Sequence, residues 1–549
     1  MSASERIELR EDLQALLVGA SGQVSADDLF AAVATLQGET FRHVKGRRTL
    51  RFELGGRSWF LKWHDGVGWH EIIKNLLSFR LPIIGAEPEY RAIRRFHQLG
   101  LPTMQVAGFG QRGWNPARQQ SFLITEDLSP AISLEDLCAS WPQQPPLLMF
   151  KRALIDAVAD IARAMHQNGI AHRDFYLCHF LLDLSGRESA KPVGEVVSHR
   201  TNSHPHLSVI DLHRALLRPP LSPRWIIKDI GGLYSSALDI NLSRSDRARF
   251  ITRYAGKNLR AALDDDGHFW NAVKERAARI TRRDQRKAIG RALRGIYRSD
   301  ARQCRRHTFD RLAVYRREYE GNDLQAFIAE PDAFMAQGLM LKDGDSTTVV
   351  QVRLDGREYV AKRYNLRSFG YGLRRLFRRS RASQCWRSAH LLEFAGIDTP
   401  APVMMLERRW GPFRRRAYFV TEFRAEPAVP PLTREFAEER GDAVTLPGGP
   451  FSWQGLADHF DELLACMRRF GIVHGDMKIT NFLMGARQLV VLDLDTTGRP
   501  RRRRSFQRRY QKDLRRLLAN WAELPAHHAA RTTFQSLVAR AERALREQP

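Results

Sequence analysis

Two stretches of this chain hold the residue types that phosphoryl transfer needs, in workable order. His474-Gly475-Asp476-Met477-Lys478-Ile479-Thr480-Asn481 sets an asparagine five positions after an aspartate, and Val490-Val491-Leu492-Asp493-Leu494-Asp495 follows as an apolar strand running into acids. Transfer from a nucleotide asks for little covalent help: a lysine on the phosphates, oxygen ligands for magnesium, and a carboxylate that orients the acceptor hydroxyl. In that frame Asp476 is the base and Asn481 and Asp493 are metal ligands. An earlier stretch, His172-Arg173-Asp174-Phe175-Tyr176-Leu177-Cys178-His179 followed by Ser208-Val209-Ile210-Asp211, repeats the frame with Asp174 as base and Asp211 on the metal. His179 stands where asparagine is expected; magnesium prefers oxygen, so this histidine is either an unusual ligand or a positioning group.

A lone His-x-Asp says little, because a histidine after a buried helix is usually structural. The elements around it repeat in register. Arg47–Leu54 and Arg57–Lys62 read as alternating strands around Gly55-Gly56, and Thr348–Leu354 and Arg357–Lys362 as strands around Asp355-Gly356, so Lys62 and Lys362 fall at equivalent positions. Each lysine is followed by a basic stretch and a helix ending in Gly100-Leu101-Pro102-Thr103 or Gly396-Ile397-Asp398-Thr399. A strand closing on Thr125-Glu126 or Thr421-Glu422 comes next, then a longer amphipathic helix that stops at Gly169 or Gly471. Lys228-Asp229 and Lys512-Asp513 complete the series. Lys62, Lys362, Glu126, Glu422 and Lys478 are therefore cofactor-binding candidates beside the acids.

Aligning Gly100 with Gly396 sets Glu89 opposite Cys385. A kinase lysine needs a helix glutamate to hold it against the phosphates, so Glu89 joins the first set, while Lys362 is left without a nearby acid. Whether the second copy turns over or only braces the first stays open. Gly108-Phe109-Gly110-Gln111-Arg112-Gly113 matches a dinucleotide fingerprint but lacks the following helix, and reads as a strand-connecting loop. The turn around Lys45-Gly46-Arg47-Arg48-Thr49 is the better phosphate cover.

Composition bounds the partners. With 87 basic against 61 acidic residues the chain carries a net charge of +26, which calls for an anionic partner. Ribonucleoprotein, paired zinc-ligand and basic-zipper patterns are absent, which weighs against nucleic acid. Five scattered cysteines write no disulfide framework and fit a reducing compartment. The first residues carry acids where a secretion signal needs a basic region and an apolar run, and no apolar stretch approaches the roughly 18 residues of a spanning helix. Leu366–Arg379 interleaves basic and apolar residues and Arg501–Arg504 is a basic run; each reads equally as a surface for anionic membrane or as a solvated face.

The first copy resembles the lipopolysaccharide core heptose kinases of Gram-negative bacteria, the WaaP/RfaP branch of the lipopolysaccharide kinase family. The resemblance spans about residues 40–255 and is carried by Gly46-Arg47-Arg48-Thr49, Phe60-Leu61-Lys62, Glu71-Ile72-Ile73-Lys74-Asn75-Leu76-Leu77-Ser78, Thr125-Glu126-Asp127-Leu128 and above all His172-Arg173-Asp174-Phe175-Tyr176-Leu177-Cys178-His179-Phe180-Leu181-Leu182. It implies an α+β chain of two tandem protein-kinase-like domains, each with a small β-rich N-lobe and a larger, mostly helical C-lobe. The first covers 1–320, with a basic helical linker at about 270–320, and the second, looser in its likeness, covers 321–549. The resemblance also implies ATP and Mg2+ as cofactors, a heptose of the lipopolysaccharide inner core as acceptor, and a cytoplasmic place on the anionic inner-membrane surface. By it, Lys62 and Glu89 anchor phosphate, Asp174 is the base, Asp211 is a metal ligand, and His179 is a family feature. The second domain would act on another core sugar such as 3-deoxy-manno-octulosonic acid, or on none. The alternatives are a protein kinase, which the His-Gly-Asp of the second copy disfavours, and a non-catalytic scaffold binding glycolipid or nucleic acid through basic faces.

Overall fold

The computed structural model describes residues 5–18, 25–44, 46–66, 68–77, 85–185, 205–365, 379–411, 413–429, 443–446 and 449–547. The chain packs as two compact units, Met1–Arg282 and Arg283–Pro549. Each has a small lobe built on one antiparallel sheet and a larger, mainly helical lobe, and each lobe has its own apolar core.

In the first unit the sheet runs Glu5–Leu9, Val106–Arg112, Gln120–Glu126, Arg57–His64, Arg47–Leu54, Glu39–Val44. Successive side chains of a strand face opposite sides. Trp59, Leu61 and Trp63 therefore enter the core with Leu50, Phe52, Phe122 and Ile124, and Lys62 is left on the other face, opposite Thr49 and Leu123 in register. The second unit's sheet runs Gln303–His307, Arg311–Arg316, Pro402–Trp410, Phe413–Glu422, Arg357–Tyr364, Thr347–Leu354, Leu339–Gly344. Tyr359 and Ala361 pack inward here, and Lys362 again faces away, paired with Val349 and Phe419.

Both helical lobes are organised by the long helix that the apolar period predicts. Leu148–Gln167 buries Leu154, Val158, Ile161, Ala162 and Met165; Trp453–Phe470 buries Leu456, Phe460, Leu463, Leu464 and Met467. Each is followed by its glycine at positive φ, +75° at Gly169 and +67° at Gly471. The repeated threonines also find a reason: Thr103 Oγ1 donates to the carbonyl of Val209 at 2.7 Å, and Thr399 Oγ1 to that of Val491 at 2.8 Å, so each ties the end of a small-lobe helix to the strand that leads to a metal-ligand candidate.

Three elements differ from the sequence expectation. Gly108 and Gly110 lie inside strand Val106–Arg112 and not in a loop; a Cβ would stand 2.6 Å from Leu9 Cδ2 at the first and 2.2 Å from the Phe122 ring at the second, so these glycines make room for core side chains. The basic stretch is helical only through Gly295, the end of helix Leu259–Gly295. Beyond it, Gln303–His307 and Arg311–Arg316 join the second sheet, where Leu312, Ala313, Val314 and Tyr315 are buried and Val314 and Tyr315 are β-favouring. The second unit thus begins earlier than the expected boundary near 320. Most of Leu366–Arg379 lies outside the described residues, as does Lys45 of the predicted phosphate cover.

The two helix-ending glycines make a controlled comparison. An alanine at Gly471 meets only the Arg499 side chain at 3.7 Å, whereas at Gly169 its Cβ would lie 2.7 Å from the Pro219 backbone. Gly471→Ala should cost about 1 kcal/mol for the left-handed backbone alone. Gly169→Ala should cost clearly more, both read as shifts in urea-unfolding midpoint.

Candidate active sites in the two units

In the first unit the loop after Gly169 turns sharply, with Arg173 at φ +72°, and a buried carboxylate holds it there. Asp229, wholly buried in helix Pro223–Ser236, accepts the backbone N–H groups of His172 at 2.6 Å and Arg173 at 2.8 Å. The His172 ring, which burial keeps neutral, lies 3.0 Å from the Ile210 carbonyl through Nε2. The two chain segments that carry Asp174 and Asp211 are thereby joined.

Lys62 Nζ lies 2.6 Å from Glu89 Oε1 and 3.2 Å from Asp211 Oδ1. Glu89 comes from the first turn of helix Glu87–Gln98 and its side chain is only 3 % exposed. Burial by itself would raise the Asp211 carboxyl, but the bond from His213 Nδ1 at 2.7 Å and the Lys62 charge outweigh it and hold the carboxyl well below the usual range. His179 bridges the set: Nδ1 meets the Asp174 carbonyl at 2.6 Å, so that nitrogen donates, and Nε2 is 3.8 Å from Asp211 Oδ2. The expected residues Lys62, Glu89, Asp174, His179 and Asp211 thus converge. Glu126 does not join them by any described contact; its carboxylate accepts from Arg10 at 2.7 Å.

Sequence reasoning missed two cations here. Arg214 Nη1 meets both oxygens of Asp174, at 2.9 and 2.8 Å. Lys228, next to the loop-holding Asp229, has its ammonium pushed down to about 8 by burial, against the opposing pull of Asp174. The Lys-Asp pair was visible in the repeat, but nothing in one sequence aims its lysine.

The second unit rebuilds the same frame. Asp513 takes the N–H groups of His474 and Gly475, each at 2.8 Å, and His474 Nε2 lies 2.9 Å from the Leu492 carbonyl. Gly475 sits at φ +90°. Asn481 Nδ2 donates to the Asp476 carbonyl at 2.9 Å, the bond that His179 makes in the first unit, and the backbone carbonyl of Asn481 accepts from the N–H of Leu492, one residue before Asp493, at 2.9 Å. Lys478 Nζ and Arg516 Nε approach Asp476 at 3.6 and 3.5 Å. Glu422, like Glu126, is held elsewhere, accepting from Tyr319 at 2.9 Å. Asp493 and the Asn481 side-chain oxygen fit a magnesium ion, which takes one or two carboxylates and completes its shell with phosphate and water; in the first unit Asp211 fits, with His179 as a nitrogen donor.

The expectation that Lys362 lacks a nearby acid is corrected. Its ammonium lies 2.6 Å from Asp493 Oδ1 and 3.0 Å from Asp495 Oδ1. Cys385 does stand in the helix, buried among these groups as a thiol whose ionisation burial opposes. The signal was the second acid of Asp493-Leu494-Asp495.

A sheet-lobe lysine clasped by acids, a histidine-anchored loop carrying an aspartate, and a metal-type carboxylate after a short strand, present twice, define a tandem protein of the kinase class. The chain belongs to the lipopolysaccharide kinase (Kdo/WaaP) family, whose sequence model matches residues 31–254 and 342–536, together well over half of the chain. It is 47% identical over 285 residues, 52% of this chain and all of the relative, to the lipopolysaccharide core heptose(I) kinase WaaP of Escherichia coli strain K12. It is 45% identical over 259 residues, 47% of this chain and 92% of the relative, to the protein of the same name from Pseudomonas aeruginosa. A solved structure titled WaaP in complex with acyl carrier protein is 39% identical, with a TM-score of 0.40, over 50% of this chain and 98% of that one. No described helix is long and apolar enough to cross a membrane.

Lys228 places a cation with a depressed proton affinity within electrostatic reach of Asp174. A lysine lowered in this way is charged below about 8 and neutral above it. If that charge supports the transferring phosphoryl group, kcat/KM should fall as pH rises through 8, and Lys228→Arg should remove this alkaline limb.

Proposed function

We propose that the first unit transfers the γ-phosphoryl group of ATP to a heptose hydroxyl of the lipopolysaccharide inner core, at the cytoplasmic face of the inner membrane. The observation that carries the reading is the convergence of Lys62, Glu89, Asp174, His179 and Asp211 in one site. Membership of the family, and relatives named heptose(I) kinases of which the chain covers nearly the whole length, support it.

Lys62, held by Glu89, steadies the nucleotide phosphates. Magnesium, when bound, neutralises phosphate charge, and Asp211 and His179 would hold it. Asp174 accepts the proton of the heptose hydroxyl while its oxygen bonds to the γ-phosphorus and the bond to the bridging oxygen of ADP breaks. Arg214 holds Asp174 by both oxygens, so the acceptor must share that carboxylate with a guanidinium.

Surface features support an interfacial place. On helix Gly68–Leu77 the side chains of Trp69, Ile73 and Leu77 recur every fourth residue and are exposed, and Arg501–Arg504 is exposed as well. The apolar helical stripe of the first unit and the basic run of the second each suit an anionic membrane surface. The second unit, with Asp476, Asn481 and Asp493 in matching places, fits a phosphotransferase for another sugar of the core, 3-deoxy-manno-octulosonic acid included.

The test is transfer from ATP to dephosphorylated, core-truncated lipopolysaccharide, with the modified sugar located by mass spectrometry. Asp174→Ala should lower heptose phosphorylation by about 10²- to 10⁴-fold, the usual weight of a general base. Any phosphate on a second sugar should disappear with Asp476→Ala. Heptose phosphate that persists in Asp174→Ala, or a wild type that modifies no core acceptor, overturns the reading.

A further inference from the structure

The second unit departs from the first at three positions that surround its lysine, and the departures compensate one another. Glu89 is replaced by Cys385, His64 by Tyr364 and His213 by Asp495, while Lys62 and Lys362 coincide in strand and register. In both units the ammonium touches two carboxylates. In the first these are Asp211 and the buried helix acid Glu89; in the second they are Asp493 and the buried Asp495.

Asp495 and Asp493 divide the work between them. The Asp495 side chain is 11 % exposed and that of Asp493 is 41 % exposed. Asp495 Oδ1 accepts from Lys362 at 3.0 Å, from the Tyr364 hydroxyl at 2.5 Å and from Cys385 Sγ at 3.0 Å. Its Oδ2 is taken by Arg381, from the first turn of helix Arg381–Ala395. Both oxygens are thus committed to protein donors, which leaves a metal ion to the more open Asp493. Tyr364 Oη and Cys385 Sγ lie 3.1 Å apart, each with its single hydrogen directed at Asp495, so the two residues that replace His64 and Glu89 both serve the relocated acid.

We infer that Asp495 is the positioning carboxylate for Lys362, standing in for the helix glutamate, and that the second unit is a second binding site for the triphosphate of magnesium ATP and not a brace. The inference rests on the proposed phosphotransfer function and extends it to a site whose usual glutamate is missing. Cys385 is a neutral donor to that carboxylate and takes no part in touching phosphate. Arg381 neutralises the second oxygen, so the site keeps one acid's worth of grip on the lysine.

The test is isothermal titration of the full chain carrying Lys62→Met, which removes the first unit's phosphate anchor, with the imido analogue of ATP and Mg2+. One nucleotide should bind. Adding Asp495→Asn should weaken that binding about tenfold or more, the scale expected when a charged hydrogen-bond partner is lost. The reciprocal exchange Cys385→Glu with Asp495→His, which installs the first unit's residues, should recover affinity to within about threefold of the parent, whereas Asp495→His alone should not. Unchanged thermal midpoints separate loss of positioning from loss of fold. The inference is overturned if the Lys62→Met chain binds no nucleotide, if Asp495→Asn binds as well as its parent, or if the folded double exchange stays as weak as Asp495→His. Heptose phosphorylation by the chain with Lys62 intact is a separate assay, so failure here and failure of the first unit's function are told apart.

Discussion

A buried carboxylate that accepts two consecutive backbone N–H groups sets the geometry of each site. Asp229 and Asp513 reach from the helical core to hold the turn at His172-Arg173 and His474-Gly475, and Asp174 or Asp476 follows one residue later. The turn is one that L-residues resist, with φ of +72° at Arg173 and +90° at Gly475. Without the carboxylate two N–H groups would be stranded in the interior, each at a cost of about 1–3 kcal/mol. The histidine of the same turn then reaches the next segment through its ring, so one side chain in the core fixes Asp174 or Asp476 and, through a second bond, the segment that carries Asp211 or Asp493.

That framework tolerates exchange at its edges. His179 and Asn481 differ in chemistry yet make the same bond to the carbonyl of the base residue, one through a ring nitrogen and the other through an amide. The second ring nitrogen of His179 then lies 3.8 Å from Asp211. Gly475 replaces Arg173 because the Thr496 side chain would lie 2.6 Å from an added Cβ. The loop's position belongs to the aspartate beneath it, and the residues along it vary around that support.

Much of this was legible in the residues. The alternation around Lys62 and Lys362, the amphipathic helices ending at Gly169 and Gly471, and the spacing of Asp174 to His179 and Asp476 to Asn481 are local patterns, and local patterns survive without coordinates. Asp495 as lysine partner, Arg214 on Asp174 and Thr103 on Val209 are long-range contacts between segments whose separation no periodicity encodes. Gly108-Phe109-Gly110 read as a loop for a related reason: its glycines answer to Leu9 and Phe122 across the sheet, and glycines read along the chain suggest a turn. The strands at Gln303–His307 and Arg311–Arg316 were hidden by their arginines, which stay at the surface while the intervening apolar residues pair.

Where the lysine's buried acid comes from decides what can loosen it. In the first unit Lys62 and Glu89 both belong to the sheet lobe, so that pair would persist if the lobes of the unit swung apart. In the second, Lys362 belongs to the sheet lobe and both of its acids follow strand Leu489–Val491 in the helical lobe. The clasp there is a latch across the cleft between the two lobes: readiness of the lysine and closure of the lobes become a single event, and any opening of the lobes must first unfasten it.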